Sequence, residues 1–330
     1  MIDAVADQTS GDEPFVRCAH QAMACEWAAL IPHADRTYAQ QAARAAFAEV
    51  DRLERELSRF IGDSDISRIN AAAPGTAVRV SADTIGVLLL AHQLQSAFDG
   101  AIDVTIGLRV PRPGVGAPAA PPASGPGVAI HAAERSVTRL RADASLDLGA
   151  IGKGFALDAA VAVLREWGIE RALLHSGTSS VYALGAGCPG APTGSQPAAA
   201  DLKCAPGWQL RLRDPADPQR CVGDVWLRDA ALSGSAVTLK AGHIIDPRSG
   251  EPAGGHLAAW AIAPTAAVSD GVSTALMVVK TDEAVDCLRR EASNAILAGV
   301  KAFVIAPEAP GVVRALTTTA DFRSASGGAE

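Results

Sequence analysis

Three short runs hold residues whose types and spacing suit phosphate and metal chemistry. The first is 146–154, LDLGAIGKG, with three glycines and Lys153. Glycines let a backbone approach a ligand closely, and a helix opening at such a turn offers its amides to an anion. Lys153 adds a positive charge fitted to phosphate. The GxxxxGK[ST] spacing of a Walker A loop is absent, and a structural turn with a solvated lysine accounts for this run equally well. The second is 242–250, GHIIDPRSG, where His243 and Asp246 stand three apart before a turn-forming Pro. A histidine beside a carboxylate can act as a general base; an Asp-Pro turn with an incidental His is the plainer alternative. The third is 269–276, SDGVSTAL. On a helix Asp270 and Thr274 share a face, with Ser273 on the adjoining edge. Carboxylate and hydroxyl oxygens suit Mg²⁺, which takes hard ligands and few protein groups; taken alone, a capping Asp and a packing Thr explain the pair as well. Two further runs, 100–107 and 57–70, read as helix ends and loops.

These runs need elements to hold them. Apolar positions Ala42, Ala46, Phe47, Val50, Leu53 and Leu57 recur at three- and four-residue steps, which predicts a helix over 38–57. Ser81 can cap a second helix through Val87, Leu88, Leu94 and Phe98. Residues 23–31 read as an opening strand, and 146–167 as strand, glycine-rich turn and helix, with Gly168 at the C-cap. Further strands are expected at 172–175, 208–213, 225–227, 257–262 and 302–305, and helices near Val268 and Asp282. Strands and helices interleave, so the class is α/β or α+β. Two Pro/Gly/Ala-rich stretches, about 109–127 and 185–206, read as surface loops. One domain is expected over 15–310. Residues 1–14 are expected to be disordered, and 311–330 to form a C-terminal segment, disordered in part.

Composition narrows the class. Of 330 residues 48% are hydrophobic but only 4% aromatic, so the core must be built mainly from Ala, Val, Leu and Ile. A net charge of -7 with no Lys/Arg-rich run speaks against a nucleic-acid binder. Six cysteines without a CxxC pair read as free thiols rather than a disulfide scaffold or zinc site. The N-terminus lacks the basic and apolar regions of a signal peptide, which gives a cytoplasmic expectation. No apolar stretch approaches the roughly 20 residues of a membrane helix.

In order and spacing, the runs resemble those of the ApbE-type flavin transferases (FAD:protein FMN transferases). Residues 23–27 (MACEW) resemble that family's opening motif. The run from Ser58, Arg59 and Phe60 to Asn70 is similar to its SRF loop, and Asp103 to Thr105 is similar to its FDxT element. The runs 147–154, Ser233-Gly234, 243–250 and 270–274 are similar to its remaining signatures. The resemblance implies a single ApbE-like domain of mixed sheets flanked by helices, with a cleft for FAD as substrate. It implies Mg²⁺ held by the Ala150 carbonyl, Asp270 and Thr274, with Ser273 as a further candidate. It assigns FAD contacts to Met23, Phe60, Ala101, Ile102, Asp103, Asp147, Lys153 and one of Ile244 or Ile245. It makes His243 the catalytic residue, with Asp270 as the other candidate base. The implied reaction moves FMN from FAD to a Ser or Thr hydroxyl of an acceptor protein and releases AMP. An FAD pyrophosphatase and a catalytically impaired FAD-binding protein are the alternatives. The sequence departs from the family pattern in three places. Ser176-Gly-Thr-Ser-Ser180 stands where Gly-Gly-Asp is common, Ile102 stands for the FDxT Phe, and the Pro/Ala-rich loop follows Leu108. The export signal usual in the family is also missing.

Overall fold

The computed structural model describes residues 2–4, 15–110, 125–185, 207–237, 244–290, 295–317 and 322–324. Ile2–Ala4 (β1) is a short strand inside the stretch expected to be disordered; it pairs with a later strand, and the Ile2 side chain is buried there. Phe15–Ala22 (β2) and Cys25–Pro32 (β3) form an antiparallel hairpin. Its two-residue turn is Met23 and Ala24, both at positive φ, 50° and 58°. Two successive left-handed residues give the turn twist that matches flanking strands. Met23 therefore sits in a turn, where an opening strand was expected, and the strand begins at Cys25.

Arg36–Leu57 (α1) is capped by Asp35, whose side chain accepts from the Tyr38 amide, and it buries Ala39, Ala42, Ala43, Ala46, Phe47, Val50, Leu53 and Leu57. Part of the run read as a loop is a helix, Asp65–Ala71 (α2), capped by Ser64. Ala77–Arg79 (β4) precedes Ala82–Ala97 (α3), where the Ser81 side chain accepts from the Thr84 amide as the capping signal predicts. Val128–His131 (β5) and Ser136–Arg139 (β6) join β4 in a three-stranded sheet. Gly152–Glu166 (α4) follows the glycine-rich turn. The expected strand at 146–148 is absent: beyond one bridge from Ser145 to Ile106, the backbone of Leu146 is paired with the Asn70 side-chain amide instead of a neighbouring strand (2.7 and 2.9 Å).

Ala172–Ser176 (β7), Ser180–Leu184 (β8), Trp208–Arg213 (β9), Cys221–Leu227 (β10), Ala230–Ala236 (β11) and Ala258–Ala263 (β12) come next. Ala266–Val278 (α5) and Thr281–Arg289 (α6) are followed by Lys301–Ile305 (β13), Val313–Ala315 (β14) and Phe322–Ser324 (β15). The main sheet has eight strands in the order β14-β13-β12-β11-β8-β7-β3-β2, and a four-stranded sheet runs β1-β9-β10-β15. Every ladder between these strands is antiparallel. The two outer strands β14 and β15 lie within the C-terminal segment.

Strand periodicity sorts the side chains of the main sheet into two cores. Leu173, Val181, Leu232, Trp260, Ile262, Phe303 and Ile305 pack with Trp208, Leu210 and Val225 of the four-stranded sheet. Their neighbours Leu174, Tyr182, Ala231, Ala259, Ala261, Ala302 and Val304 pack with the helices. The expected mixed α/β class with sheets flanked by helices is the observed one. No described helix is long and apolar enough to cross a membrane. The described cysteines, Cys18, Cys25, Cys221 and Cys287, are free thiols.

Candidate active site

The site forms where α4 and α5 begin side by side. Gly154 makes this approach possible: a Cβ there would stand 2.2 Å from the Ala266 carbonyl oxygen. Two helix N-termini, each carrying partial positive charge, are thus brought together. The Gly154 amide belongs to the first turn of α4, whose amides have no partner within the helix. It donates instead to Asp270 Oδ2 (3.1 Å), and none of the hydrogen bonds found among the described residues ends on the Ala150 carbonyl. Lys153 Nζ lies 3.9 Å from the same Asp270 oxygen, and the Ser180 hydroxyl donates to the other (3.3 Å).

Asp270 is 4% exposed. Burial pushes its carboxyl above the usual range, opposed by Lys153, the Gly154 amide and the Ser180 hydroxyl. The Thr274 and Ser273 hydroxyls both donate to the Asp270 carbonyl, at 3.1 and 3.0 Å. Thr274 is partly exposed; Ser273 is fully buried and shares a hydrogen bond with Ser235 of β11 (3.0 Å). A hydroxyl that has given its proton to a carbonyl keeps its lone pairs for another partner. Among the described residues no three His, Cys, Asp or Glu side chains gather as a metal cluster. A cation here would rest on one carboxylate with carbonyl and hydroxyl oxygens, a donor set that fits Mg²⁺.

Below Asp270 the sheet contributes a row of hydroxyls. Ser176 pairs with Ser180, and Ser180 with Ser233, across β7, β8 and β11. All three are buried, and the Ser176 and Ser233 hydroxyls have no hydrogen-bond partner among the described residues. This is where Ser176-Gly-Thr-Ser-Ser180 departs from the family pattern: the chain offers hydroxyls in place of a carboxylate. Cys25 stands at the edge of the site, its Sγ 3.6 Å from where a Cβ on Gly177 would be. Burial raises its thiol pKa, with Lys153 acting in the opposite direction.

All five sequence runs meet. Arg59 bridges to Asp147 (2.6 Å), and Asn70 clasps Leu146. Gly100 abuts Arg248, whose Cγ would be 3.8 Å from an added Cβ. Ile102 packs towards Gly271, and Gly154 meets Asp270. Several assigned residues have particular settings. Asp147 is already engaged: Oδ1 accepts from the Gly149 amide (2.8 Å) and Oδ2 faces Arg59, so it anchors the turn. Ala101 and Ile102 are 1% and 3% exposed, so Ile102 fills core rather than presenting a flat ligand surface in place of the Phe. Asp103 accepts from the Thr105 amide (2.8 Å). Phe60 is 80% exposed, with the Arg59 guanidinium 4.9 Å from its ring centre. Met23 and Ile244 are partly buried against the helix-side core, and Ile245 bridges to Pro252 in the turn of the IIDPRSG run. His243 lies outside the described residues, as do 111–124 and 186–206 with Cys188 and Cys204. Sequence reasoning quoted Ser176, Ser180 and Ser233 as motif positions without grouping them beneath Asp270, and it missed Asp158. Asp158 carried a local signal, standing one helical turn beyond Gly154 on the same face.

Known proteins resemble this chain in sequence and fold. The FAD:protein FMN transferase of Klebsiella pneumoniae (strain 342) is 26% identical over 312 residues, covering 86% of this chain and 82% of that one. The protein of the same name from Escherichia coli (strain K12) is 25% identical over 292 residues, 80% of this chain and 78% of its own. The flavin transferase ApbE from Vibrio cholerae superposes with a TM-score of 0.71 at 22% identity, covering 92% of this chain and 97% of that one. The apo form of the Pseudomonas stutzeri flavinyl transferase ApbE gives 0.73 at 20% identity, over 92% and 95%. At such identities the superpositions establish the fold. The ApbE family model matches residues 23–297, and on that match, spanning most of the chain, the protein belongs to the ApbE family.

Proposed function

We propose that this chain is an FAD:protein FMN transferase, which moves the FMN half of FAD to a Ser or Thr hydroxyl of an acceptor protein and releases AMP. The observation that carries the reading is the meeting of two helix N-termini, Lys153 and the Asp270 carboxylate at one point. Paired helix ends and a lysine favour a diphosphate. A buried carboxylate beside them is understandable where a cation also binds. The names of the relatives over most of the chain's length support the same reaction.

The Ala150 carbonyl, Asp270 and Thr274 would hold Mg²⁺, with Ser273 placed to support them. Such an ion, when bound, withdraws charge from a pyrophosphate and helps orient it. Phosphoryl transfer is mostly positioning and charge stabilisation. Lys153 and the first amides of α4 hold the anionic oxygens. Arg59, through Asp147, and Asn70, through Leu146, fix the turn that carries Ala150. In the transfer the acceptor oxygen forms a bond to the FMN phosphorus, and the bond from that phosphorus to the bridging oxygen breaks. AMP departs with that oxygen, and the hydroxyl proton passes to His243 or Asp270.

The test uses the full chain with FAD, Mg²⁺ and a protein bearing a family target sequence. The expected outcome is a flavin-labelled acceptor, one AMP per label, and no label after chelation of the metal. A chain that binds FAD yet labels no acceptor under any metal condition sinks the reading. AMP release at equal rates with and without acceptor would reassign the same groups to hydrolysis of FAD.

A further inference from the structure

We propose that Asp158 is a positioning residue of this site: it clasps the start of α5 to α4 and so sets where Asp270 stands. The proposal rests on the reading of Asp270 as a site carboxylate. Asp158 Oδ1 accepts from the Ala266 amide (2.7 Å) and Oδ2 from the Ala267 amide (2.9 Å). These are the first two residues of α5, and their amides have no partner within their own helix. Across the same contact Asp270 of α5 accepts from the Gly154 amide in the first turn of α4.

The exchange is reciprocal. Gly154 and Asp158 are four apart on α4; Ala266 and Asp270 are four apart on α5. Each helix supplies a carboxylate from its second turn to amides in the first turn of the other. Two like-signed helix ends forced together by Gly154 repel one another, and the two carboxylates offset this. The two are not equivalent, however. Asp158 spends both oxygens on α5. Asp270 shares its oxygens among Gly154, Ser180 and Lys153, and is the one placed to meet a ligand. Asp158 holds the frame in which Asp270 is presented.

The experiment compares the full chain with Asp158→Asn, Asp158→Glu and a control, Asp229→Asn. Asp229 caps the Gly185 amide at 2.9 Å, so the control loses a carboxylate–amide bond of the same kind that does not join α4 to α5. Amide exchange, Mg²⁺ titration in the presence of FAD, and steady-state transfer are measured at equal folded fraction. In Asp158→Asn the exchange of the Gly154 amide, which is bonded to Asp270 and not to Asp158, rises at least tenfold. Mg²⁺ affinity falls about tenfold and kcat 10- to 100-fold, while KM for FAD moves less than threefold. Asp158→Glu restores part of each loss, and Asp229→Asn changes none of them. Unchanged Gly154 exchange in a folded Asp158→Asn overturns the proposal, as does an equal loss of Mg²⁺ affinity in Asp229→Asn. A wild type that takes up no Mg²⁺ with FAD would sink the transferase reading instead, and the Gly154 exchange still decides the clasp.

Discussion

The two faces of the eight-stranded sheet are built on opposite rules. The face towards the four-stranded sheet is packed with large rings. Trp260 and Phe303 share a core with Trp208, and the Phe303 and Phe322 ring centres lie 4.7 Å apart, tilted by 37°. Gly234 leaves room for Trp260, whose Cδ1 would be 2.7 Å from an added Cβ. The face towards the helices carries Ala231, Ser233, Ser235, Ala259, Ala261 and Ala302 along the strands beneath α5. Small residues let a helix backbone approach a sheet, and their hydroxyls supply polar partners that a ring could not. One face gives up chemistry for packing; the other gives up packing volume to bring a carboxylate, a lysine and two helix ends together.

Substitutions on each face can break or sharpen this contrast. Trp260→Ala on the ring-filled face is expected to lower unfolding stability by about 3–5 kcal/mol. Transfer per folded molecule should stay within about twofold, since the site is on the other side; a large loss of turnover in the folded variant would show that the faces are not independent. Asp270→Asn reverses the pattern. Transfer is expected to fall on the order of 10³-fold, about 4 kcal/mol. The melting temperature should hold or rise, because burial already disfavours the charge; a melting point that collapses with activity would count against the contrast.

The helix face should also respond to pH. Burial raises the Asp158 carboxyl to about 6, against its α5 amide bonds and Arg165, with Asp270 adding to the rise. A carboxyl raised in the folded state binds its proton more tightly there than in the unfolded chain. Its contribution is therefore present in full below the unfolded value near 3.9 and is lost as pH rises through about 6, on the order of 3 kcal/mol. Denaturant unfolding from pH 4 to 7 should show this slope, and Asp158→Asn should flatten it; a slope unchanged in the variant would assign it elsewhere. Tyr182 also senses Asp158, but its phenol titrates far above this window.

Gly154→Ala places a methyl group against Ala266 and is expected to cost about 1–3 kcal/mol and to lower transfer by separating α4 from α5. Chemical denaturation with a parallel transfer assay reads both; a variant as stable and active as wild type would mean that the helix ends need not touch. The smallest effect is expected from Ser233→Ala. Removing a buried hydroxyl that has no partner among the described residues should leave stability within about 1 kcal/mol or raise it. A loss above 2 kcal/mol in thermal unfolding would mean that this hydroxyl holds a partner, such as an ordered water.

The sequence shows the parts whose signals are local. The apolar stripe of α1, the Ser81 cap of α3 and the alternation of Trp208, Leu210 and Leu212 in β9 can all be read without the fold. Elements defined by distant partners cannot. Residues 146–148 carry strand-forming types, yet the Leu146 backbone is met by the Asn70 side chain, and among the described residues only the Asp147 amide reaches another segment's backbone, at Val104. β11, with the sequence AALSGSA, has little strand propensity and forms because two neighbours pair with it. The Met23-Ala24 turn needs left-handed residues without a glycine to announce them. In the site, Lys153, Asp270 and Thr274 are visible as chemical types. That a backbone amide 116 residues away is turned onto Asp270 is a property of helix packing alone.

That separation makes the site a reporter on folding. Neither half of the chain holds the donor set by itself, so a nucleotide or cation that needs both helices binds only where the whole sheet is in place. Ligand affinity then feeds directly into the unfolding equilibrium: at 100 times its dissociation constant a ligand adds about 2.7 kcal/mol. The resistance of this protein to heat or proteolysis would then follow the supply of its own substrate.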